Sequence, residues 1–169
     1  FGGDRAWAIG AHVDVSVPGM HAFAEAARSH SNSLASILGV SAALPCGTQA
    51  TMLFRSYPPD FISLHGCGFG ERGGELQNET GVYFGIQWEL PQTVTLLAAF
   101  DMYRFPAASG LIDVPSAGHD ATLLAEWRLG RGTALSVRWR RALSTAASSS
   151  CWVRSAVALR YSWMTRGVQ

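Results

Sequence analysis

The sequence predicts an all-β fold of consecutive antiparallel strands, and three observations support this prediction. From Thr80 to Ala142 apolar and polar residues alternate, as in a strand with one apolar and one polar face. Turn signals interrupt the alternation at Pro91-Gln92 and at Gly130-Arg131-Gly132. The alternating segments have about the length that crosses a bilayer obliquely, and they carry aromatic residues near their ends. Together these observations predict an antiparallel up-and-down transmembrane β-barrel.

The period-two pattern delimits nine strands. In the clearest of them, Gly81 to Leu90, every even position holds a large apolar residue. The alanine-rich stretch from Met20 to Ser36 also suits a helix, but Asn32 and the serines around it favour a turn between two strands. The predicted strands are Ala6 to Val17, Met20 to Ser29, Leu34 to Leu44, Thr48 to Tyr57, Thr80 to Leu90, Val94 to Phe105, Asp120 to Leu129, Thr133 to Leu143, and Trp152 to Trp163.

The connections between these strands differ in length. Outer-membrane barrels have short periplasmic turns and longer outside loops, so the tight set is expected to face the periplasm. The outside connection His30 to Ser33 is short and departs from this rule. The tight connections are Pro18-Gly19, Pro45-Cys46-Gly47, Pro91-Gln92 and Gly130-Arg131-Gly132, and the long ones are Pro58 to Glu79 and Pro106 to His119.

Strand register follows from pairing lipid-facing residues with lipid-facing residues, because a one-residue slip turns every arginine toward hydrocarbon. At Pro91 this rule selects a three-residue turn. In the first hairpin it selects a two-residue Pro18-Gly19 turn, although Pro-Gly favours a type II turn that matches hairpin twist poorly. The predicted pairs are Phe84 with Phe100, Tyr83 with Asp101, Trp127 with Leu135, Glu126 with Ser136, and His12 with Glu25.

The same alternation assigns side chains to an inner and an outer wall. An arginine on the lipid face at mid-membrane costs about 2 to 4 kcal/mol, which forces this sorting. The inner wall carries His12, Asp14, Glu25, Arg55, Gln87, Glu89, Asp101, Glu126, Arg128, Arg138, Arg140, Arg154 and Arg160 among Gly, Ala and Ser. The outer wall carries Trp7, Ile9, Val13, Leu38, Met52, Phe54, Phe84, Ile86, Phe100, Leu123, Trp127, Val137, Trp139, Leu159 and Tyr161.

The composition of the 169-residue chain suits this assignment. It is 48% hydrophobic, yet no apolar run approaches the roughly 18 residues that a spanning helix needs. The charged fraction is 15%, against about 25% in soluble domains. The main soluble alternative, a lipocalin-like barrel with its apolar face inward, would expose glycine, alanine, serine and arginine without one lysine, so the membrane interpretation is favoured. The net charge of +1 gives no reason to expect a nucleic-acid or anionic-membrane partner through bulk electrostatics, although local charged patches survive such averaging.

Four segments carry a family resemblance: Leu53-Phe54-Arg55-Ser56-Tyr57-Pro58, Gln77-Asn78-Glu79-Thr80-Gly81-Val82-Tyr83, Ala99-Phe100-Asp101-Met102-Tyr103-Arg104-Phe105-Pro106, and Asp113-Val114-Pro115-Ser116-Ala117-Gly118-His119-Asp120. They resemble the barrel region of large bacterial envelope proteins, loosely called competence-like, that carry helix-hairpin-helix domains ahead of the barrel. The resemblance covers roughly Leu53 to Arg140. It implies the outer membrane of a Gram-negative bacterium and a link to DNA handling, which transfers to no residue of this segment.

The strongest chemical cluster is a set of inner-wall arginines on three consecutive strands. In a pore such a set attracts anionic solutes. In a cross-linked wall, Glu126, Glu89 and Asp101 neutralise the arginines through forked hydrogen bonds. The second interpretation is favoured because the acids share the face. The set is Arg128, Arg138, Arg140, Arg154 and Arg160.

The long loop after Tyr57 supplies a second candidate, since loops on rigid barrels often carry binding. An equally good interpretation is a surface loop packed by its own aromatic residues. Its binding candidates are Phe61, His65, Phe69, Glu71 and Asn78.

Catalytic, metal and cofactor sites are not expected. Ser63, His65, His119 and Asp120 share the outer rim and include the residue types of a hydrolase, but nothing in their spacing requires contact. The three cysteines lack Cys-x-x-Cys spacing. Cys67 and Cys151 share the outer rim and can form a bridge there, whereas Cys46, on the opposite rim, is expected to stay a free thiol.

Nine is an odd number of strands, whereas bacterial single-chain barrels close with an even number. An unpaired edge in lipid leaves backbone groups unsatisfied at several kcal/mol each. The chain is therefore expected to be one β-barrel segment, incomplete at one or both ends, of a barrel of about 12 to 16 strands. Its expected partners are the lipid bilayer and additional strands or other envelope proteins. The expected function is a pore, transport or secretion component; an assembly or binding scaffold is the second hypothesis and a membrane hydrolase the third.

Overall fold

The computed structural model describes residues 7–62, 69, 77–90, 93–108, 115–130, 133–146 and 151–163, the last range and residues 145–146 by their backbone alone. Nine strands form one sheet in which each strand pairs antiparallel with its neighbours along the chain. They are β1 (Ala8–Val17), β2 (Met20–Ser29), β3 (Leu34–Leu44), β4 (Thr48–Tyr57), β5 (Glu79–Leu90), β6 (Val94–Phe105), β7 (Ser116–Gly130), β8 (Thr133–Ala146) and β9 (Cys151–Trp163).

The all-β, antiparallel, up-and-down prediction is confirmed. The sheet is open: β1 and β9 are its two edges, and within the ranges above they do not pair with each other. No helix long and apolar enough to cross a membrane occurs in the described part of the chain.

Most strand boundaries agree with the prediction, and β7 is the main exception. The prediction leaves Ser116 to His119 in a loop, whereas these residues pair with β6. Gly118 explains this extension, because a Cβ at that position would lie 2.7 Å from the Tyr103 ring, which glycine accommodates. The strand β8 extends past Leu143 to Ala146 for the same reason, since Ala146 lies opposite Ser116.

The predicted register is confirmed in all three hairpins. A three-residue connection joins Leu90 to Val94, and two residues join Val17 to Met20. Gly19 has a φ of 81°, the value that the third residue of a type II turn requires. The Pro-Gly turn therefore forms although its twist is the less favoured one for a hairpin. The pairs found are Phe84 with Phe100, Tyr83 with Asp101, Trp127 with Leu135, Glu126 with Ser136, and His12 with Glu25.

The two faces of the sheet differ in chemistry. We call the face that holds Phe84 the apolar face and the face that holds Asp101 the polar face. On the apolar face large side chains are exposed, from Phe100 at 38% to Ile9 at 68%. Others exposed there are Trp7, Val13, Leu38, Met52, Phe84, Ile86, Leu123, Trp127 and Val137, while Phe54 and Trp139 are half-buried; the side chains of Leu159 and Tyr161 lie outside the description.

Burial concentrates instead on the polar face, where Arg55 and Glu79 are 0% exposed and Asp101 is 7% exposed. A soluble sheet would bury the opposite face. The polar face is less uniform than predicted, because half-buried apolar side chains stand among its small and charged residues. These are Phe23, Ile37, Leu53, Leu97 and Leu124.

The register between β5 and β6 is testable by cross-linking. With the native cysteines replaced by serine, Phe84→Cys with Phe100→Cys should oxidise readily, because directly opposed residues lie within disulfide range. Phe84→Cys with Ala99→Cys is the control, since a one-residue shift puts the second thiol on the other face. Non-reducing mass spectrometry reports the bond. Equal cross-linking of both pairs would contradict the register.

Candidate functional site: a buried ion cluster

Three of the four buried charged residues of the described chain form one cluster near the long-loop ends of β4, β5 and β6. Arg55 lies on β4, Glu79 is the first residue of β5, and Asp101 lies on β6. All three are on the polar face, so the side chain of Arg55 on β4 meets a carboxylate from each of the two following strands. We call these three residues the ion cluster.

Arg55 makes three charge-assisted hydrogen bonds in this cluster. Its Nε donates to Oε1 of Glu79 at 2.5 Å. Its Nη1 and Nη2 donate to Oδ1 and Oδ2 of Asp101 at 2.9 and 3.0 Å, a two-pronged geometry that suits a planar guanidinium. The side chains of Arg55 and Glu79 are 0% exposed and that of Asp101 is 9% exposed. The cluster therefore ties β4, β5 and β6 together in a place where unpaired charges would be costly.

Arg55 reaches β6 because the residue opposite it on β5 is a glycine, which leaves room for the guanidinium. Gly81 lies opposite Arg55 on β5, and a Cβ there would sit 2.6 Å from Cζ of the guanidinium. Three aromatic rings of the polar face lie against glycines in the same way: Phe23 against Gly39, Tyr83 against Gly85, and Tyr103 against Gly118. Large side chains thus lie along the wall of the polar face.

The loop between β4 and β5 covers the ion cluster with Phe69. The guanidinium carbon of Arg55 lies 5.2 Å from the centre of the Phe69 ring, within the range of a cation–π contact. Tyr83 contacts the same ring edge-on at 5.3 Å, and the hydroxyl of Tyr57 donates to the Phe69 carbonyl at 3.2 Å. Phe69 is consequently held against the long-loop end of the polar face.

Asn78 fastens the end of that loop to the next one. Its Nδ2 donates to the carbonyl of Ala107, and its Oδ1 accepts from the Ala107 amide, both at 2.7 Å. Asn78 adopts a left-handed φ of 52°, which asparagine tolerates better than most residues. Phe61, at 2% exposure, packs with Tyr57 and Ala35.

A second ion pair extends the charged row to β7 and β8. Asp120 lies directly opposite Asp101, and its Oδ2 accepts hydrogen bonds from Nε and Nη2 of Arg140. The side chain of Asp120 is 7% exposed, whereas that of Arg140 is 52% exposed. Two neighbouring carboxylates are therefore each matched by an arginine from a different strand.

The other predicted polar residues are spread over the same face. Arg128 donates to Thr95 at 3.4 Å, and Gln87 donates to Glu89 at 3.3 Å. Asp14 pairs with His21 at 2.8 Å. Register places His12, Glu25, Glu126 and Arg138 on this face, and it places the β9 residues Arg154 and Arg160 in line with Ala142 and Ser136.

Among the described residues, one arginine of the predicted set pairs with an acid, and it takes a different partner from those expected. Arg140 takes Asp120, the first residue of the predicted seventh strand, which the inner-wall assignment omits. Asp101 takes Arg55, which lies outside the arginine set. Glu79 was missed as a site residue because it stands at the end of a long loop with no strand pattern before it. The sequence signal that could have found Glu79 is the run Glu79-Thr80-Gly81, because residues two apart in a strand share a face. The strand begins at Glu79, one residue earlier than predicted.

Two of the four hydrolase candidates, His119 and Asp120, are described by the structure, and they lie on opposite faces of the sheet. His119 is exposed on the apolar face and Asp120 is buried on the polar face, as consecutive strand residues must be. Ser63, His65, Glu71 and Cys67 lie outside the described residues. Cys46 is a free, exposed cysteine in the β3–β4 turn. Within the described ranges, no three histidine, cysteine or acidic side chains are placed to hold a metal ion.

Comparison of the chain with protein-family models, curated proteins and solved structures found no match.

The ion cluster predicts a sharp dependence of stability on Arg55. Arg55→Met leaves two buried carboxylates unpaired and should lower the free energy of unfolding by about 3 to 5 kcal/mol. Arg138→Met, at an exposed arginine of the same face, should change it by less than about 0.5 kcal/mol. Urea unfolding followed by tryptophan fluorescence measures both.

Adding Glu79→Gln and Asp101→Asn to Arg55→Met removes the uncompensated charges, so the triple variant should recover much of the loss. Equal losses for Arg55→Met and Arg138→Met would contradict the cluster.

Proposed function

We propose that this chain is a segment of an integral β-barrel in the outer membrane of a Gram-negative bacterium, with its polar face lining a pore used in transport or secretion. The observation that carries the proposal is the inverted burial of the sheet. Ile9 is 68% exposed on one face, while Arg55 is 0% exposed on the other. Hydrocarbon is the solvent in which such an apolar face is stable.

The strand edges support a barrel larger than this chain. In lipid the free N–H and C=O groups of β1 and β9 require partners, because an open edge is not tolerated there. Further strands of the same protein or a second envelope protein would supply them and close the ring. The nine strands in simple up-and-down order are the arrangement that such a closure extends.

The polar face suits the lining of a pore because its large side chains lie flat. Arg55, Phe23, Tyr83 and Tyr103 each extend across a glycine and along the wall. A face built in this way leaves room in front of it for water and solutes.

The charge of this lining differs from the one that the arginine set suggests. Among the described strand residues the polar face carries more carboxylates than arginines, so we do not propose an anion-attracting pore. The seven carboxylates are Asp14, Glu25, Glu79, Glu89, Asp101, Asp120 and Glu126, and the six arginines are Arg55, Arg128, Arg138 and Arg140 with Arg154 and Arg160 of β9, which the register puts on the same face.

A scaffold without transport is the second candidate, and the anchored mouth favours it. Phe69 rests on Arg55, and Asn78 is bonded to Ala107 of the next loop. Loop residues anchored in this way would offer a stable surface to another envelope protein.

Conductance distinguishes the two candidates. The full protein reconstituted in a planar bilayer should give discrete current steps with weak preference for cations. Arg138→Ala removes an exposed positive charge of the lining and should shift the reversal potential further toward cations, while Arg138→Lys should not. Arg140 is left unchanged because it holds the buried Asp120.

Insertion of the protein without current steps would contradict the pore and favour the scaffold. A reversal potential that Arg138→Ala leaves unchanged, with current steps present, would place Arg138 away from the ion path.

A further inference from the structure

The charged residues of the sheet are sorted by sign as well as by face. All seven acidic residues on the described strands lie on the polar face. Among the strand residues whose side chains are described, the charged or titratable groups of the apolar face are all basic, and each is exposed. They are Arg28, Arg104, His119 and Arg141, which we call the basic belt.

The belt occupies one level of the sheet. Each member lies eight to ten residues along its strand from the tight turn of its hairpin. The four intervals are Met20 to Arg28, Val94 to Arg104, His119 to Leu129 and Thr133 to Arg141. At about 3.3 Å per residue and a strand tilt of about 35 to 45°, these intervals span about 20 to 25 Å along the membrane normal.

The stagger of the strands is consistent with one common height for the belt. The residues beside the tight turns, Met20, Leu44 and Leu90, descend by two residues for every two strands crossed. From Arg28 on β2 to Arg141 on β8 the belt descends by six rows over six strands, which is the same average slope, although it descends by two rows per strand between β6 and β8. One residue per strand corresponds to about 3.3 Å along the strand for about 4.8 Å across it, which is close to the strand tilt of membrane barrels.

The height of the belt places it at a membrane interface. The apolar band of an outer-membrane barrel is about 25 Å tall, so side chains 20 to 25 Å above the tight turns lie at its far edge. At the near edge stand Trp88 and Trp127, exposed at 46% and 51%, where indole rings suit the interface. The near edge thus carries indole rings, and the far edge carries the basic belt together with Trp7, which is 50% exposed directly before β1.

We propose that the basic belt binds the phosphate groups of anionic lipid headgroups in the leaflet on the long-loop side. This inference rests on the membrane location proposed above. Guanidinium groups bind phosphate by paired hydrogen bonds, and the segregation of the described strand carboxylates to the other face keeps their repulsion away from the belt. Arginines that only solubilised a rim would be mixed with acids.

The test compares two charge-matched double variants of the full protein. Arg104→Gln with Arg141→Gln alters the belt, and Arg128→Gln with Arg138→Gln alters two exposed arginines of the polar face. Native mass spectrometry in neutral detergent micelles counts bound phosphatidylglycerol, and phosphatidylcholine is the zwitterionic control.

The wild type and the polar-face variant should retain phosphatidylglycerol in preference to phosphatidylcholine. The belt variant should lose affinity for phosphatidylglycerol by about 25-fold, about fivefold for each arginine. Excess inorganic phosphate should not displace the lipid, whose acyl chains lie on the apolar face.

Three results would overturn lipid binding by the belt. They are equal retention of phosphatidylglycerol by the belt variant and the wild type, equal loss of phosphatidylglycerol in both variants, and displacement of the lipid by inorganic phosphate. Failure of the wild type to insert into phosphatidylcholine vesicles refutes the membrane proposal instead, so the two failures are distinguishable.

Discussion

The structure depends on the sorting of side chains between the two faces of one sheet. Successive residues of a strand point to opposite faces. The register therefore decides whether Arg55 lies on the polar face with Glu79 and Asp101 or on the apolar face with Phe84. The ion cluster holds that register in place: a guanidinium bonded to Glu79 and Asp101 at once cannot follow a slipped strand. The exposed apolar face is the other consequence of the same register.

Small residues make the ion cluster possible. Gly81 leaves the space through which Arg55 reaches β6, and the Phe69 ring then covers the guanidinium from the loop side. The buried charges, the glycine beneath them and the loop above them therefore form one unit at the long-loop end of the sheet. The mouth of the proposed pore is attached to the wall through this unit, so substitutions in the wall are expected to alter the loop as well.

The alternation in the sequence was sufficient to predict the strand order, most boundaries and the register, since one rule about faces fixes all pairs of a meander. It failed for Ser116 to His119, where small residues suggest a loop and only the opposing Tyr103 ring reveals a strand. The partners of the ion cluster were not predictable, because Arg55 and Asp101 are 46 residues apart and meet across an intervening strand. The sign sorting that defines the basic belt was present in the sequence, and register made it visible.

The central claim is that the apolar face meets hydrocarbon and the polar face does not. Quenching of a fluorophore by spin-labelled lipid tests it most directly, with the dye attached to single cysteines in vesicles of the reconstituted full protein. Labels at Phe84→Cys and Ile86→Cys should be quenched strongly, and labels at Tyr83→Cys and Gln87→Cys should not. Equal quenching at all four positions, or stronger quenching at Tyr83→Cys and Gln87→Cys, would contradict the account.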